Sequence, residues 1–344
     1  MKELFQMNES LIHSIANDSG AGKLLYISAV RFIAMLLIIM CHICQYYNSE
    51  WAWWLNVGVQ IFLILSGFLY GNKSISAPIK WIKRNAHKIL LPYYVFLSLS
   101  ILIYYVFFPH FISLRSVVES IFCIGTIKGI ENLWFVGYIL FCYLLTPYLE
   151  LITETLKGNT QIKNIYRILL FFALFYVISD LLHFYFQPDK IICYFVGYFT
   201  AFFVRNYGKQ WCKWIFFMSA PFALFSKMIY FSLKSCVPPS LIGYLGIFSH
   251  TLLGIALTFG LILLFQKIKF KSEGSLSQVL KFSDKYSYCI YLSHQLFILS
   301  PFTLMLLTKY KTINICTTLI VIIIAGVVLQ KVSAKVSNCF IQDK

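Results

Sequence analysis

Long apolar runs recur along the whole of this sequence, and they constrain its fold more than any other feature. A helix of roughly 20 apolar residues crosses the hydrocarbon core of a bilayer, because only a helix or a closed barrel satisfies every backbone N–H and C=O there. Ten segments meet this pattern: 24–47, 52–72, 89–108, 133–152, 165–183, 190–204, 214–231, 242–265, 286–308 and 312–332. They predict an all-α integral membrane protein with ten transmembrane helices in a single bundle. Composition agrees, since a chain of 344 residues with 59% hydrophobic and 12% charged side chains has too few polar groups to clothe a soluble globule. The longest polar connections, 73–88, 109–132 and 266–285, are too short to bury cores of their own. The expected organisation is a cytoplasmic N-terminal tail over 1–23, one membrane domain over 24–332 and a cytoplasmic C-terminal tail over 333–344. Residues 1–23 hold Glu3, Glu9 and Asp18 without a basic cluster, and the apolar run after them exceeds a signal-peptide core. The first helix is therefore expected to remain as an anchor.

A net charge of +16 raises the question of nucleic acid, which the distribution of the charge answers. Of the 29 Lys and Arg, 21 fall in the tails and in alternate connections: Lys2 and Lys23, 73–88, 157–167, 205–213, 267–285 and 331–344. Six fall in the other connections (Arg115, Lys128, Lys190, Lys234, Lys309, Lys311), and only Arg31 and Lys227 lie within spans. Cytoplasmic loops retain Lys and Arg, so both termini are expected on the cytoplasmic side of a cell (inner) membrane, and no nucleic acid is expected as a partner. The ten cysteines are scattered singly through apolar runs, where a thiol behaves as a small hydrophobe. Cys41-His42-Ile43-Cys44 lacks the second ligand pair a zinc site needs, so no metal is expected. No Walker-type glycine loop is present, which argues against an ATP-driven transporter.

A charged side chain at the bilayer centre costs roughly 2.5–3.5 kcal/mol, so Arg31 in the first helix demands a reason. It either snorkels toward the headgroups or serves a ligand. His42 follows on the same helix, and the spacing brings the two within about 20° of one face, with Cα atoms roughly 16 Å apart along the axis. They cannot touch, but they line one feature with a cationic inner end, which suits an elongated anionic ligand entering from the cytoplasm. The ordinary imidazole pKa near 6.5 lets His42 take a proton from a hydroxyl and return it to a leaving group. A histidine that merely hydrogen-bonds across a helix interface is the alternative, worth about 0.6 kcal/mol. His13, His87, His110, His183 and His250 fall in tails, loops or helix ends, and only His294 competes. The basic stretch Lys80-Trp81-Ile82-Lys83-Arg84-Asn85-Ala86-His87-Lys88, before Pro92, fits either anionic lipid headgroups or an anionic ligand.

Arg31-Phe32-Ile33-Ala34 through Cys41-His42 resembles the first-helix signature of the acyltransferase 3 family, integral-membrane O-acyltransferases of bacterial surface glycans. Four further blocks follow in order: Asn56–Phe62 with Leu65-Ser66-Gly67-Phe68; Lys83-Arg84 to Lys88 running into Pro92-Tyr93; Leu133-Trp134-Phe135 with Tyr143–Pro147; and Tyr286–His294. The sequence departs from the family at Ser28, where many members carry an acid, and at Lys88, where the second arginine of the basic loop stands. Lysine keeps the charge but loses bidentate geometry.

The resemblance implies an enzyme that transfers an acyl group, acetyl or another short acyl, from acyl-CoA to a hydroxyl of a lipid-linked or extracytoplasmic glycan. It implies His42 and Arg31 as catalytic residues, His42 as general base or as covalent carrier of the acyl group, and Arg31, Arg84 and Lys88 as contacts to acyl-CoA. Ser66, Asn132, Trp134, Tyr291 and His294 follow as candidate pocket residues, though packing or interfacial anchoring accounts equally for each. No permanently bound cofactor is expected, since acetyl-CoA is a donor substrate. The partners are membrane lipid, glycan and acyl-CoA, and oligomeric state leaves no mark on the sequence. The rival functions are a transporter or flippase, with Arg31, Lys227 and His42 lining its pathway, and a structural partner in an export assembly.

Overall fold

The computed structural model describes residues 25–71, 73–157, 159–181, 187–268, 270 and 274–342. Among the described residues every regular element is helical. In chain order the α-helices are α1 Leu25–Tyr46, α2 Trp51–Leu55, α3 Gly58–Tyr70, α4 Pro78–Phe107, α5 Leu114–Ile121, α6 Trp134–Leu156, α7 Gln161–Leu181, α8 Pro188–Tyr207, α9 Gln210–Leu233, α10 Pro239–Gln266, α11 Ser275–Ile298 and α12 Lys311–Gln342. Large apolar side chains such as Leu102, Leu169, Phe217 and Ile320 stand on the outside of the bundle, where lipid rather than water must meet them.

Each of the ten predicted segments overlaps helix, 52–72 falling on both α2 and α3, and among the described residues eight helical segments are long and apolar enough to cross a membrane. The other two are the more polar α8, which opens on Asp189 and Lys190, and α11, which carries Lys281, Asp284 and Lys285. Three boundaries differ from expectation. The basic stretch before Pro92 is the opening of α4, not a connection; Pro78 sits in the first turn, where its missing N–H costs nothing. α11 starts at Ser275 instead of 286 and stops at Ile298 instead of 308, because its first turns are too polar to register as a span. α12 runs on to Gln342, so most of the expected C-terminal tail is helical. The expected N-terminal tail, with Lys2, His13 and Lys23, lies outside the described residues, as do His183, Lys269, Lys271 and Lys344.

At the centre α1 packs against α11, α3, α2 and α10, and α3 packs closely against α8. That last contact depends on two glycines. A Cβ at Gly67 would overlap the carbonyl of Tyr194, and one at Gly197 would overlap the carbonyl of Ile64. Close backbone approach through small residues is how membrane helices associate when lipid offers no hydrophobic driving force. Gly67 in the Leu65-Ser66-Gly67-Phe68 block is thus a packing residue. Gly67→Ala should cost about 1–3 kcal/mol or more through overpacking. Gly243→Ala, where nothing lies within 4 Å, should gain about 0.5–1 kcal/mol from helix propensity. Thermal unfolding of the two variants in detergent checks the contrast.

Candidate active site

The site is set by two helices that run in the same direction. Near the start of α1, Arg31 forms an ion pair with Asp284 of α11. About three turns further along both helices, the rings of His42 and His294 lie 5.0 Å apart, centroid to centroid. Two cross-helix pairs at matching intervals fix a parallel register. The Asp284 side chain is 1% exposed and that of Arg31 22%, so the arginine reaches partly out of the packing while its carboxylate partner is enclosed. The cost of placing Arg31 in a membrane helix is offset here by a buried opposite charge.

Around the imidazoles lies a network of polar groups from three elements. His294 is wholly buried, and its Nδ1 donates to the carbonyl of Tyr291 at 2.5 Å. A carbonyl only accepts, so in the neutral ring Nε2 is the acceptor, and this buried atom has no partner. His42 is half-buried, and its Nδ1 donates to Gln45 Oε1 at 2.6 Å, which leaves its Nε2 as an acceptor too. Asn132 comes from the 3-10 turn Glu131–Leu133 that leads into α6. Its side-chain amide donates to the carbonyls of Tyr291 at 2.8 Å and Leu292 at 3.1 Å. The Tyr291 hydroxyl returns a hydrogen bond to the Asn132 carbonyl at 2.7 Å. Gln295 accepts from the Asn132 backbone N–H and donates to Glu131 at 3.0 Å. Asn132 Oδ1, like His294 Nε2, is buried without a partner. Buried polar atoms in native proteins are nearly always satisfied, so these two acceptors beside the histidine pair are available to take a hydrogen bond from a ligand.

At the Arg31 end a cavity of about 490 Å³ opens between α3, α4, α6, α11 and α12. This is a size typical of small-molecule sites. Its walls include Tyr70, Asn85, Lys88, Tyr143, Asp284 and Tyr288. The Tyr70 hydroxyl donates to Asn85 at 3.2 Å, Asn85 is tied to the Trp81 carbonyl at 2.9 Å, and Tyr288 donates to the Ile89 carbonyl at 2.9 Å. Lys73, in the connection between α3 and α4, lies 5.5 Å from the Tyr70 ring centroid. Lys73 is exposed, and its pKa is held below the ordinary lysine value first by partial desolvation, then by repulsion from Lys88 and Arg84.

The sequence profile of the acyltransferase domain, that of the acyltransferase 3 family, matches residues 24–330. The chain belongs to the acyltransferase 3 family. No curated protein and no solved structure matches it. Membership makes it a membrane acyltransferase, and the residues quoted for the resemblance now have positions in this acyltransferase 3 fold.

His42, His294, Asn132 and Tyr291 come together at one point. Arg31 stands at the other end of the same helix pair, and Lys88 lines the cavity there, with Arg84 exposed nearby on α4. Trp134 turns instead to Tyr138, whose ring meets its own edge-on at 4.9 Å. Ser66 is half-buried on α3 and takes no part in the network. Lys227, expected beside Arg31 and His42 on a transport pathway, packs against Trp53 and His250 at the opposite end of α1 from Arg31. Sequence reasoning missed Asp284, Gln295 and Lys73. Asp284 was the most legible of these, as an acid two residues before the Tyr286–His294 block.

Breaking the buried pair should be costly from one side and tolerable from both. Asp284→Leu leaves Arg31 uncompensated and should lose about 3–5 kcal/mol, while Arg31→Met combined with Asp284→Leu should recover much of that loss. Thermal unfolding of the single and double variants measures the coupling.

Proposed function

We propose that this membrane acyltransferase moves a short acyl group, such as acetyl, from acyl-CoA to a sugar hydroxyl of a lipid-linked or extracytoplasmic glycan. Acyl-CoA enters from the cytoplasmic side, the Arg31 end of a bundle of ten crossings of a cell membrane with both termini in the cytoplasm. The observation that carries the reading is the register of α1 and α11. It sets a basic cavity at one end and two proton-accepting imidazoles about 16 Å further along, room for an extended thioester arm.

Lys88 and Lys73, with Arg84 at the mouth, attract the donor's phosphates as point charges. Arg31 is held by Asp284 and completes the inner end of the channel. The acceptor hydroxyl donates to His42 Nε2, the more accessible of the two imidazole acceptors. As that proton passes to His42, the sugar oxygen bonds to the thioester carbonyl carbon and the C–S bond breaks. The proton on His42 then goes to the departing thiolate, leaving ester, CoA thiol and neutral imidazole. His294 and Asn132, with their unpartnered buried atoms, orient the hydroxyl.

Transfer of labelled acetyl from acetyl-CoA to glycan in membranes should fall about 10²- to 10⁴-fold in His42→Ala. Transfer by the variant equal to that of the intact protein contradicts the assignment. The donor site carries a pH signature as well. A bound phosphate favours charged Lys73, so binding takes up a proton at a group whose free pKa is depressed. Affinity for acetyl-CoA should therefore weaken as pH rises through the pKa of Lys73. Profiles of KM against pH for the intact protein and Lys73→Met should differ by that loss, and identical profiles would remove Lys73 from the site.

A further inference from the structure

The two imidazoles of the site are each held from their own helix, but by partners of different kinds. His294 Nδ1 donates to a main-chain carbonyl, that of Tyr291 three residues before it, which only accepts. His42 Nδ1 meets Gln45 Oε1 at 2.6 Å, three residues after it in the last turn of α1. Positions i and i+3 are neighbours on a helix surface, so the contact needs no other element. Gln45 is exposed, and a half-buried ring is thus oriented by a side chain that stands outside the packed core.

Which nitrogen of a neutral imidazole carries the proton is set by the hydrogen bond that the other nitrogen makes. Gln45 Oε1 accepts, which keeps the proton of His42 on Nδ1 and the lone pair on Nε2. It goes on accepting when the ring becomes an imidazolium, so nothing has to turn over as a proton arrives at Nε2. The amide also has no net charge. A carboxylate in its place would favour the protonated ring and withdraw the base at low and neutral pH.

The other groups about His42 come from neighbouring elements. His294 faces it from α11, and Glu131, on the turn before α6 and held by Gln295 at 3.0 Å, acts on it electrostatically. Lys311 of α12 lies over the Tyr47 ring at 5.2 Å. α2 and α3 hold no acid, histidine, lysine or arginine, and His250 of α10 is engaged with Lys227 at 3.1 Å.

We infer that Gln45 is a positioning residue of the reaction: its side-chain oxygen fixes His42 in the tautomer whose Nε2 accepts, and its neutrality keeps the ring ready as a base. On the acyl-transfer reading, on which this role rests, Gln45 touches neither donor nor acceptor and acts only through His42.

The test compares the intact full chain in non-ionic detergent with three variants at this exposed position. Gln45→Glu only accepts, Gln45→Lys only donates, and Gln45→Leu does neither. Two rates are followed from about pH 5 to about pH 9, a range that spans imidazole titration. One is transfer of labelled acetyl from acetyl-CoA; the other is carbethoxylation of His42 by diethyl pyrocarbonate, read by mass spectrometry, which needs an unprotonated ring and no acyl transfer. In Gln45→Glu the low-pH limb of both profiles should move up by about one unit or more, because the carboxylate holds the imidazolium, with transfer retained above it. Gln45→Lys places the proton on Nε2 and should lower kcat by about 10²- to 10⁴-fold with little change in KM for acetyl-CoA. Gln45→Leu should lose about tenfold, the worth of one hydrogen bond. A residue that merely packs would not order the variants by acceptor and donor. Profiles unmoved in Gln45→Glu, or equal transfer by Gln45→Lys and Gln45→Leu, overturn the inference; if Gln45→Lys does not fold, Gln45→Glu decides. His42→Ala separates the two readings. Transfer by it equal to that of the intact protein removes the base, and the role of Gln45 with it. Loss of transfer in His42→Ala, with all three Gln45 variants unchanged, removes Gln45 alone.

Discussion

The buried pairing of Arg31 with Asp284 is the constraint from which the rest of the site follows. A guanidinium within a membrane helix is tolerated when a carboxylate meets it, and here the carboxylate comes from α11. Because a one-residue slip on a helix turns side chains by about 100°, satisfying this pair selects the rotation and height of α11 against α1. About three turns later the same register brings His294 onto His42. The electrostatic pair and the chemical pair are two consequences of one packing arrangement, and weakening the first displaces the second.

The arrangement also separates the two ends of the molecule by chemistry. One end holds a cavity with Lys88 and Asp284 in its wall, close to Lys73 and Arg84; the other holds aromatic rings over a buried lysine. Between them lie imidazoles whose accepting nitrogens are free of internal partners. A transport pathway through Arg31, His42 and Lys227 would require the lysine to join the other two, but its ammonium is engaged by Trp53 and His250. A purely structural role makes no use of the acceptors Asn132 Oδ1 and His294 Nε2 that stand beside His42.

What the sequence made legible is what local geometry determines. The places of the long helices follow from apolar runs, and the shared face of Arg31 and His42 follows from the helical repeat. Their separation was readable for the same reason. Their partners were not, since a partner depends on which helices pack and in what register. Asp284 was assigned to a connection because hydropathy becomes strong only near Tyr286, while α11 begins at Ser275. Lys227 was recognisable as a misplaced charge, but Trp53 and His250 reach it from two other helices. Motif resemblance brought in Asn132, Tyr291 and His294, which converge, along with Trp134 and Ser66, which pack elsewhere. A motif marks a neighbourhood without distinguishing the side chains that face the site from those that hold the helices together.

The central claim is that one channel joins the basic cavity to the histidine pair and holds the donor along it. A cryo-EM structure of the full chain with CoA bound tests this most directly. The account predicts phosphates beside Lys88 and Lys73, with the sulfur directed at the His42–His294 pair, so that the carbonyl carbon of an attached acyl group comes within the roughly 3–3.5 Å of a reacting hydroxyl that near-attack geometry needs. CoA lodged outside that cavity, or bound in it with its sulfur directed away from the histidines, would contradict it.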